Sequence, residues 1–371
     1  MDLKRTRLLF VCLLISLVFF GCAAPGPSRQ DKAAGREEMI RVLVLKGTEE
    51  IEIRGAEGAG HIRVRHLGGN AVTLNGEKAS LPLRFSPSAE FIYIGKRPYR
   101  GVLEIYADED GLVVIDEMPL EDYLVGIINN EISSKWPIDA IKAQAVVART
   151  YAIYKKRKRE GSLYDLTATH MDQVYTGAAV EDAASMLAVM ETSGEVLFYD
   201  GAPALTVYHS NAGGMTESSK HVWSIDYPYL RAVKSRHDKG APNFRWELSL
   251  SARAIGDMLA GAGYGIGIPR SIKIKEKTPT GRVKALVIRD GQGGELTLSG
   301  EELRKVLGYG MLKSTLFRVK KRGSTFTFRG RGSGHGVGLS QWGAKGMAEE
   351  GYSYRKILKH YYSGTFIRKI Y

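Results

Sequence analysis

The run "PIDAIKAQAVVARTYAIYKKRK", Pro137 to Lys158, constrains the fold more than any other part of the chain. Pro137 suits a first helical turn, and Asp139 complements the positive end of the helix dipole. At 100° per residue with Lys142 as origin, Ile138, Ile141, Ala145, Val146, Ala148, Arg149, Ala152 and Ile153 all fall within about 120°. Gln144, Tyr151 and Lys155 lie opposite. So many alanines require neighbours packed closely on most faces of this helix. Yet two cations, Lys142 and Arg149, stand in line inside the apolar stripe. They either snorkel, with stems packed and heads in water, or this face lines a cleft. Two cations two turns apart, separated by small Ala145 and Val146, favour the cleft. About six residues ahead of the helix stands Glu131, in "NNEISSKWP". It reads as a surface acid, a counter-ion for either cation, or a general acid. Apolar neighbours such as Trp136 raise a carboxyl pKa, and nearby cations lower it.

The rest of the chain comes in blocks. From Met39, short alternating runs such as "MIRVLVLKG", "IEIRG", "HIRVRHLG" and "GVLEIYADEDGLVVIDE" are broken by Gly, Asn-Gly and Asp-Gly turn signals. Residues 39–117 therefore read as a mainly-β subdomain. Residues 118–371 mix helices with further β-rich text. A short helix is expected from about Glu181 to Glu191, a hairpin around Asp200-Gly201, and a helix near "SARAIGDMLAGAG". A second β-rich block ends near residue 298, and "EELRKVLG" reads as a helix behind a Ser/Gly start. Strands and helices in blocks, without strict alternation, predict a mixed α+β fold with the Ala-rich helix at its centre.

The first residues speak to location. "MDLKRTR" is a positive n-region, and Leu8 to Phe20 is an apolar core too short to span a bilayer comfortably. "GCAAPGPSRQ" follows, a Cys behind a small residue and before a Pro/Gly/Ser tether. Residues 1–22 thus read as a lipoprotein-type signal with Cys22 as the lipidated residue, and 23–38 as a flexible tether. An ordinary secretory peptide cleaved near Ala23 or Ala24, or an uncleaved anchor, stays open, since Phe19 replaces the usual aliphatic residue. Cys12 and Cys22 are the only cysteines, so the exported body has no disulfide and no thiolate ligand or nucleophile. A formal charge of +13 in 371 residues suits an anionic partner. Export argues against nucleic acid and for a membrane surface or an acidic cell-wall polymer.

Three segments together carry a resemblance. "MPLEDYLVGIINNEISSKWPIDAIKAQAVVARTYA", "VYHSNAGGMTESSKHVWSIDYPYLRAV" (207–233) and "GRGSGHGVGLSQWGAKGMAEEGYSYRKILKHYYSGT" (330–365) resemble, in order, the motifs of the stage II sporulation protein D and amidase-enhancer family. The likeness runs from about residue 115 to the end. The family's sporulation members are peptidoglycan lytic transglycosylases. They cleave MurNAc–GlcNAc bonds of glycan strands stripped of stem peptides, and leave 1,6-anhydro-MurNAc ends. The resemblance implies that Glu131 is the catalytic acid and that Lys142, Gln144 and Arg149 line the substrate groove. Tyr208, His209, Ser210, His335, Ser340 and Gln341 are further groove candidates from the second and third motifs. It implies no cofactor and a glycan strand as partner; membrane attachment through a lipid on Cys22 is expected from the leader. The family's other name keeps a second reading open: a non-catalytic wall-binding protein that stimulates a cell-wall amidase.

A Ser–His nucleophile finds no G-x-S-x-G elbow, and "GRGSGHGVG" fits neither phosphate-loop spacing. Its glycines are expected to allow tight turns and close approach. One departure concerns a zinc site that some family members build from a His and two Cys. Here His170 remains, but Thr167 and Asp172 stand where cysteines are expected, so no structural metal is predicted.

Overall fold

Alternating apolar residues after Met39 bury one face of a strand, and the ladder follows from that face. The computed structural model describes residues 37–371. Met39–Thr48 pairs antiparallel with Gly111–Pro119, which continues through Val102–Asp108 to Leu83–Phe85. Leu166–Thr167 adds a parallel edge, completing five strands. A six-stranded sheet runs in spatial order Glu77–Ala79, Ala71–Leu74, Ala59–Gly68, Glu50–Ala56, Ile92–Ile94 and Arg97–Tyr99. Its Asn75-Gly76 turn has φ of 53° and 94°, the positive values a two-residue hairpin loop requires. The expected signal, Cys22 and the tether up to residue 36 lie outside the described residues.

Eight helices occur among the described residues: α1 (Leu120–Glu131), α2 (Ile138–Lys158), α3 (Ala183–Glu191), α4 (Ser219–Trp223), α5 (Ala252–Gly261), α6 (Gly300–Leu307), α7 (Gln341–Glu349) and α8 (Tyr354–Tyr361). Together with the sheets they make the mixed α+β fold expected. α2 is central because it serves two cores. Ile141, Ala145, Ala148, Ala152 and Ile153 pack with α1 and the N-terminal sheets. Ala143, Val146 and Val147 pack with Leu339, Met347, Ile357 and Tyr361 on the C-terminal side. Small residues on both faces let these neighbours approach closely, which explains the alanine content.

A third core belongs to residues 246–328, where α5 and α6 cover two three-stranded sheets. One sheet is Pro269–Lys277, Val283–Asp290 and Glu295–Ser299, the second β-rich block expected. α6 starts with a capping box, Ser299 and Glu302 each bonding the other's backbone N–H at 3.0 and 2.7 Å. The other sheet is Arg245–Ser251, Phe317–Arg322 and Thr325–Arg331, and the sequence reading missed it. It also missed α4 and Phe366–Lys369, which pairs with Glu195–Tyr199. The alternation in "FRVKKRGSTFTFRGR" is legible, but its polar half is so cationic that it reads as a solvated loop.

Candidate active site

Glu131 is the last residue of α1, not part of a loop. The two asparagines before it fix that helix end. Asn129 donates to the Val180 carbonyl at 2.7 Å, and Asn130 donates to the Val174 carbonyl and the Thr176 hydroxyl, each at 3.2 Å. The segment 174–180 is thereby tied against the acid, and the Val174 N–H donates to Glu131 Oε1 at 3.3 Å. Tyr208 also hydrogen-bonds the carboxyl, and the Gln341 amide donates to the Glu131 carbonyl at 3.2 Å. Residues from all three motifs therefore meet at one partly buried carboxyl.

Their meeting has a backbone cause. Tyr208–His209 pairs in parallel with Leu339–Ser340, drawing the second and third motifs together across 130 residues of chain. Burial is the main influence on Glu131 and raises its pKa above the ordinary carboxylate value, against the bonds from Tyr208, Val174 and Gln341. The carboxyl also sits at a helix C-terminus with no basic residue in the last turn, where the dipole disfavours negative charge. Behind it runs a relay that sequence reasoning did not find. Tyr123 donates to Gln173 Oε1 at 3.2 Å, and Gln173 Nε2 donates to the Tyr208 hydroxyl at 3.4 Å. Gln173 lies in "THMDQVYTG", a segment noted only for its missing cysteines.

Arg149 is buried away from any groove wall, which corrects that expectation, whereas Lys142 is partly exposed and ion-paired. Arg149 is 0 % exposed and its guanidinium is held by Glu121, Thr192 and the carbonyls of Val189 and Glu195. It ties α1 and α3 to α2. Lys142 Nζ pairs with Glu191 of α3 at 2.5 Å. Gln144 is buried, with neither amide atom hydrogen-bonded among the described residues. Helical periodicity located the stripe correctly, but α3 covers the part where the cations sit.

Among the remaining candidates, Tyr208 and Gln341 reach Glu131 and the others do not bond it. Ser340 is fully buried and caps α7 by accepting from the Gly343 N–H at 3.2 Å, so its role is structural. Ser210 accepts from the Trp342 N–H through its backbone carbonyl at 3.0 Å. His335 Nδ1 accepts from the Val337 N–H at 3.1 Å, so Nε2 carries the proton and donates to the Tyr208 carbonyl at 2.9 Å. Burial holds its pKa down to about 4, so the ring is neutral. His209 is buried and donates from Nδ1 to the Val337 carbonyl at 3.0 Å. Burial, then His335 and Arg282, keeps it far below the usual histidine value.

The glycines of "GRGSGHGVG" cradle the protein's own side chains. A Cβ on Gly334 would stand 2.6 Å from His209 Cβ, and one on Gly336 would stand 2.4 Å from Arg282 Cζ. Both have positive φ, 105° and 85°. At the departed zinc position Thr167 donates to Asp172 at 3.0 Å, and Lys155 and Arg159 pair with the same carboxylate at 2.6 and 3.0 Å. His170 is exposed, and no group of three or more His, Cys, Asp or Glu among the described residues is arranged to hold a metal.

Comparison with known proteins bears on the family of the chain. Residues 108–199 match the family model described as stage II sporulation protein, and residues 228–338 match a domain of unknown function. The chain is 34% identical over 274 residues to stage II sporulation protein D of Bacillus subtilis, covering 68% of this chain and 75% of that one. An uncharacterized protein of Brachyspira hyodysenteriae is 33% identical over 270 residues, 72% of each chain. The amidase enhancer of Bacillus subtilis is 34% identical over 289 residues, 65% of this chain and 40% of its own length.

Proposed function

The chain belongs to the stage II sporulation protein D family, and on that footing we propose that it is a peptidoglycan lytic transglycosylase with Glu131 as acid and then base. The observation that carries this reading is the Glu131 carboxyl itself. Burial raises its pKa, the cations of its motif are engaged by Glu191 and Glu121, and it keeps partial exposure. A proton held that way is available to a leaving group.

In this mechanism Glu131 gives its proton to the glycosidic oxygen as the bond from MurNAc C1 breaks. The carboxylate so formed takes the proton of the same sugar's 6-hydroxyl as that oxygen bonds to C1. The product is a 1,6-anhydro end, no water is consumed, and Glu131 is protonated again. Tyr208 and the Val174 N–H stabilise the carboxylate between the two transfers. Glycan strands, by preference denuded ones, are the substrate. The protein acts outside the cytoplasmic membrane, attached through a lipid on Cys22.

The likeness to an amidase enhancer favours one other reading: a glycan-binding protein that accelerates a separate amidase without cutting the strand. One experiment separates them. The chain from residue 31 onward contains the whole compact unit 37–371 and is incubated with purified denuded glycan. Anhydro-muramyl ends, detected by mass spectrometry and absent with Glu131→Gln, support catalysis. Reducing ends point to hydrolysis. No cleavage, with faster release of stem peptides by an added amidase in a parallel incubation with peptide-bearing peptidoglycan, favours the enhancer.

A further inference from the structure

The outer face of the sheet made by Arg245–Ser251, Phe317–Arg322 and Thr325–Arg331 carries charges that the fold itself does not use. Its register sets Arg245 directly opposite Arg331, and Arg318 directly opposite Arg329. Like charges in directly opposed positions destabilise a ladder. Glu247, on the other flank of Arg329, pairs with it at 2.6 Å and is the one carboxylate on this face. Lys320 and Arg322 extend the positive charge toward the far end, and Ser249, Thr327, Ser251 and Thr325 fill the rows between. Arg245, Arg318 and Arg331 have no ion-pair partner among the described residues. The inner face is apolar, with Leu248, Leu250, Phe326 and Phe328 in or against the third core, so the fold is complete without the arginines.

At the Arg245–Arg331 end the sheet opens on a groove of about 790 Å³, lined also by Lys277 and Trp246. The indole is fixed there. Its Nε1–H donates to the Gly332 carbonyl at 2.9 Å, and Gly330 leaves room for the ring, since a Cβ would stand 2.1 Å from it. Unpaired guanidinium forks along an open groove match a sugar polymer with spaced carboxylates, and Trp246, in the inner row with Leu248, fixes the groove's end. A planar membrane would not enter the groove.

We propose that this face and its groove are a second, non-catalytic site that binds an anionic glycan strand through its carboxylates. The proposal rests on the reading of the chain as a wall protein and adds a hold on the strand away from Glu131. It also gives the unassigned segment 228–338 a task.

The test measures binding of the body from residue 31 onward to peptide-free glycan strands with intact lactyl carboxylates. Glu131→Gln is used throughout so that the strands stay whole. Replacing Arg245, Arg318 and Arg331 together by Ala is expected to weaken binding by about tenfold and flatten its salt dependence. Strands whose carboxylates have been amidated should bind the parent as weakly as intact strands bind the variant. The variant's melting temperature should hold or rise, because opposed like charges have been removed. Arg245→Ala alone provides a milder check with the same direction.

Undiminished binding by the triple variant, or by amidated strands, overturns the proposal. So does arginine-dependent capture by anionic phospholipid vesicles when strands are not captured. If unmutated Glu131 protein fails to cleave while arginine-dependent binding persists, the catalytic reading falls and this one stands.

Discussion

Arg149 grips Glu121 with two parallel hydrogen bonds, Nε to Oε1 at 2.8 Å and Nη2 to Oε2 at 2.7 Å, with the guanidinium fully buried and the carboxylate nearly so. Glu121 also accepts from the Gly194 N–H at 3.1 Å and from the Tyr371 hydroxyl, so the pair ties the chain's last residue to α1. Deleting one partner of a buried ion pair costs about 3–5 kcal/mol. Arg149→Ala is therefore expected to lower unfolding free energy in urea by about that much. Arg149→Lys keeps the charge without the fork and should recover only part. A variant that loses cleavage at unchanged stability would return Arg149 to the substrate groove.

Glu131 carries the expected pH dependence of cleavage. Burial raises its pKa in the folded protein, so the proton needed for the first transfer is lost only above the ordinary carboxylate range. Cleavage should fall on the alkaline side as Glu131 ionises. The stability effect has the same direction: an acid whose pKa is raised by folding stabilises when protonated, and that share is lost as pH rises through the folded value. Glu131→Gln should abolish cleavage and leave stability equal or higher on the alkaline side, where the parent's carboxyl is ionised. A variant that unfolds instead would make Glu131 structural.

Tyr208 tunes that acid. Its hydroxyl bonds the Glu131 carboxyl and is one of the influences that lower the carboxyl's pKa. Tyr208→Phe removes the donor and keeps the ring, so the alkaline limb of the pH–rate profile should move to higher pH. A merely structural tyrosine would change melting temperature and leave the limb where it was.

Much of this site was legible in the sequence as a list and little of it as an arrangement. Motif resemblance singled out Glu131, Tyr208 and Gln341, but their meeting depends on a two-residue parallel bridge between segments far apart in the chain. No local pattern encodes such a bridge. Lys142 and Arg149 were misread because periodicity assigns a residue to a face and cannot say what covers it. α3, which carries Glu191, and the nearby Glu121 cover that face here. Asn129, Asn130 and Gln173 bond across 44 to 51 residues, to Val180, Val174 and Tyr123, and leave no local signal. The block pattern was more readable, since Glu50–Ala56 and Ala59–Gly68 alternate and bury their apolar rows, while Gly111–Pro119 is buried on both faces.

The glycine cluster should resist substitution at chosen positions. Gly336→Ala would set a methyl 2.4 Å from the buried Arg282 guanidinium at a φ of 85°. A left-handed non-glycine residue costs about 1–2 kcal/mol, and overpacking adds about 1–3. Gly310→Ala meets nothing within 4 Å and serves as the control. Thermal melts should show a marked drop for the first and little change for the second. Equal melts would mean that Arg282 moves aside freely.

Asp116 is expected to govern stability near neutral pH. It is 0 % exposed, accepts from the Tyr175 hydroxyl at 3.1 Å through Oδ2, and its Oδ1 has no hydrogen-bond partner among the described residues. Burial raises its pKa to about 7, against about 3.9 in an unfolded chain. The protonated form suits the fold, so Asp116 contributes fully below about pH 4 and progressively loses that contribution as pH rises to about 7. Asp116→Asn keeps an acceptor for Tyr175 and cannot ionise. It should flatten the decline in stability between pH 5 and pH 8 and be more stable than the parent at pH 8. The share due to Glu131 remains in both proteins, so only the difference between their slopes reports Asp116. Parallel slopes would show that the carboxyl ionises without penalty and that its burial is relieved by water.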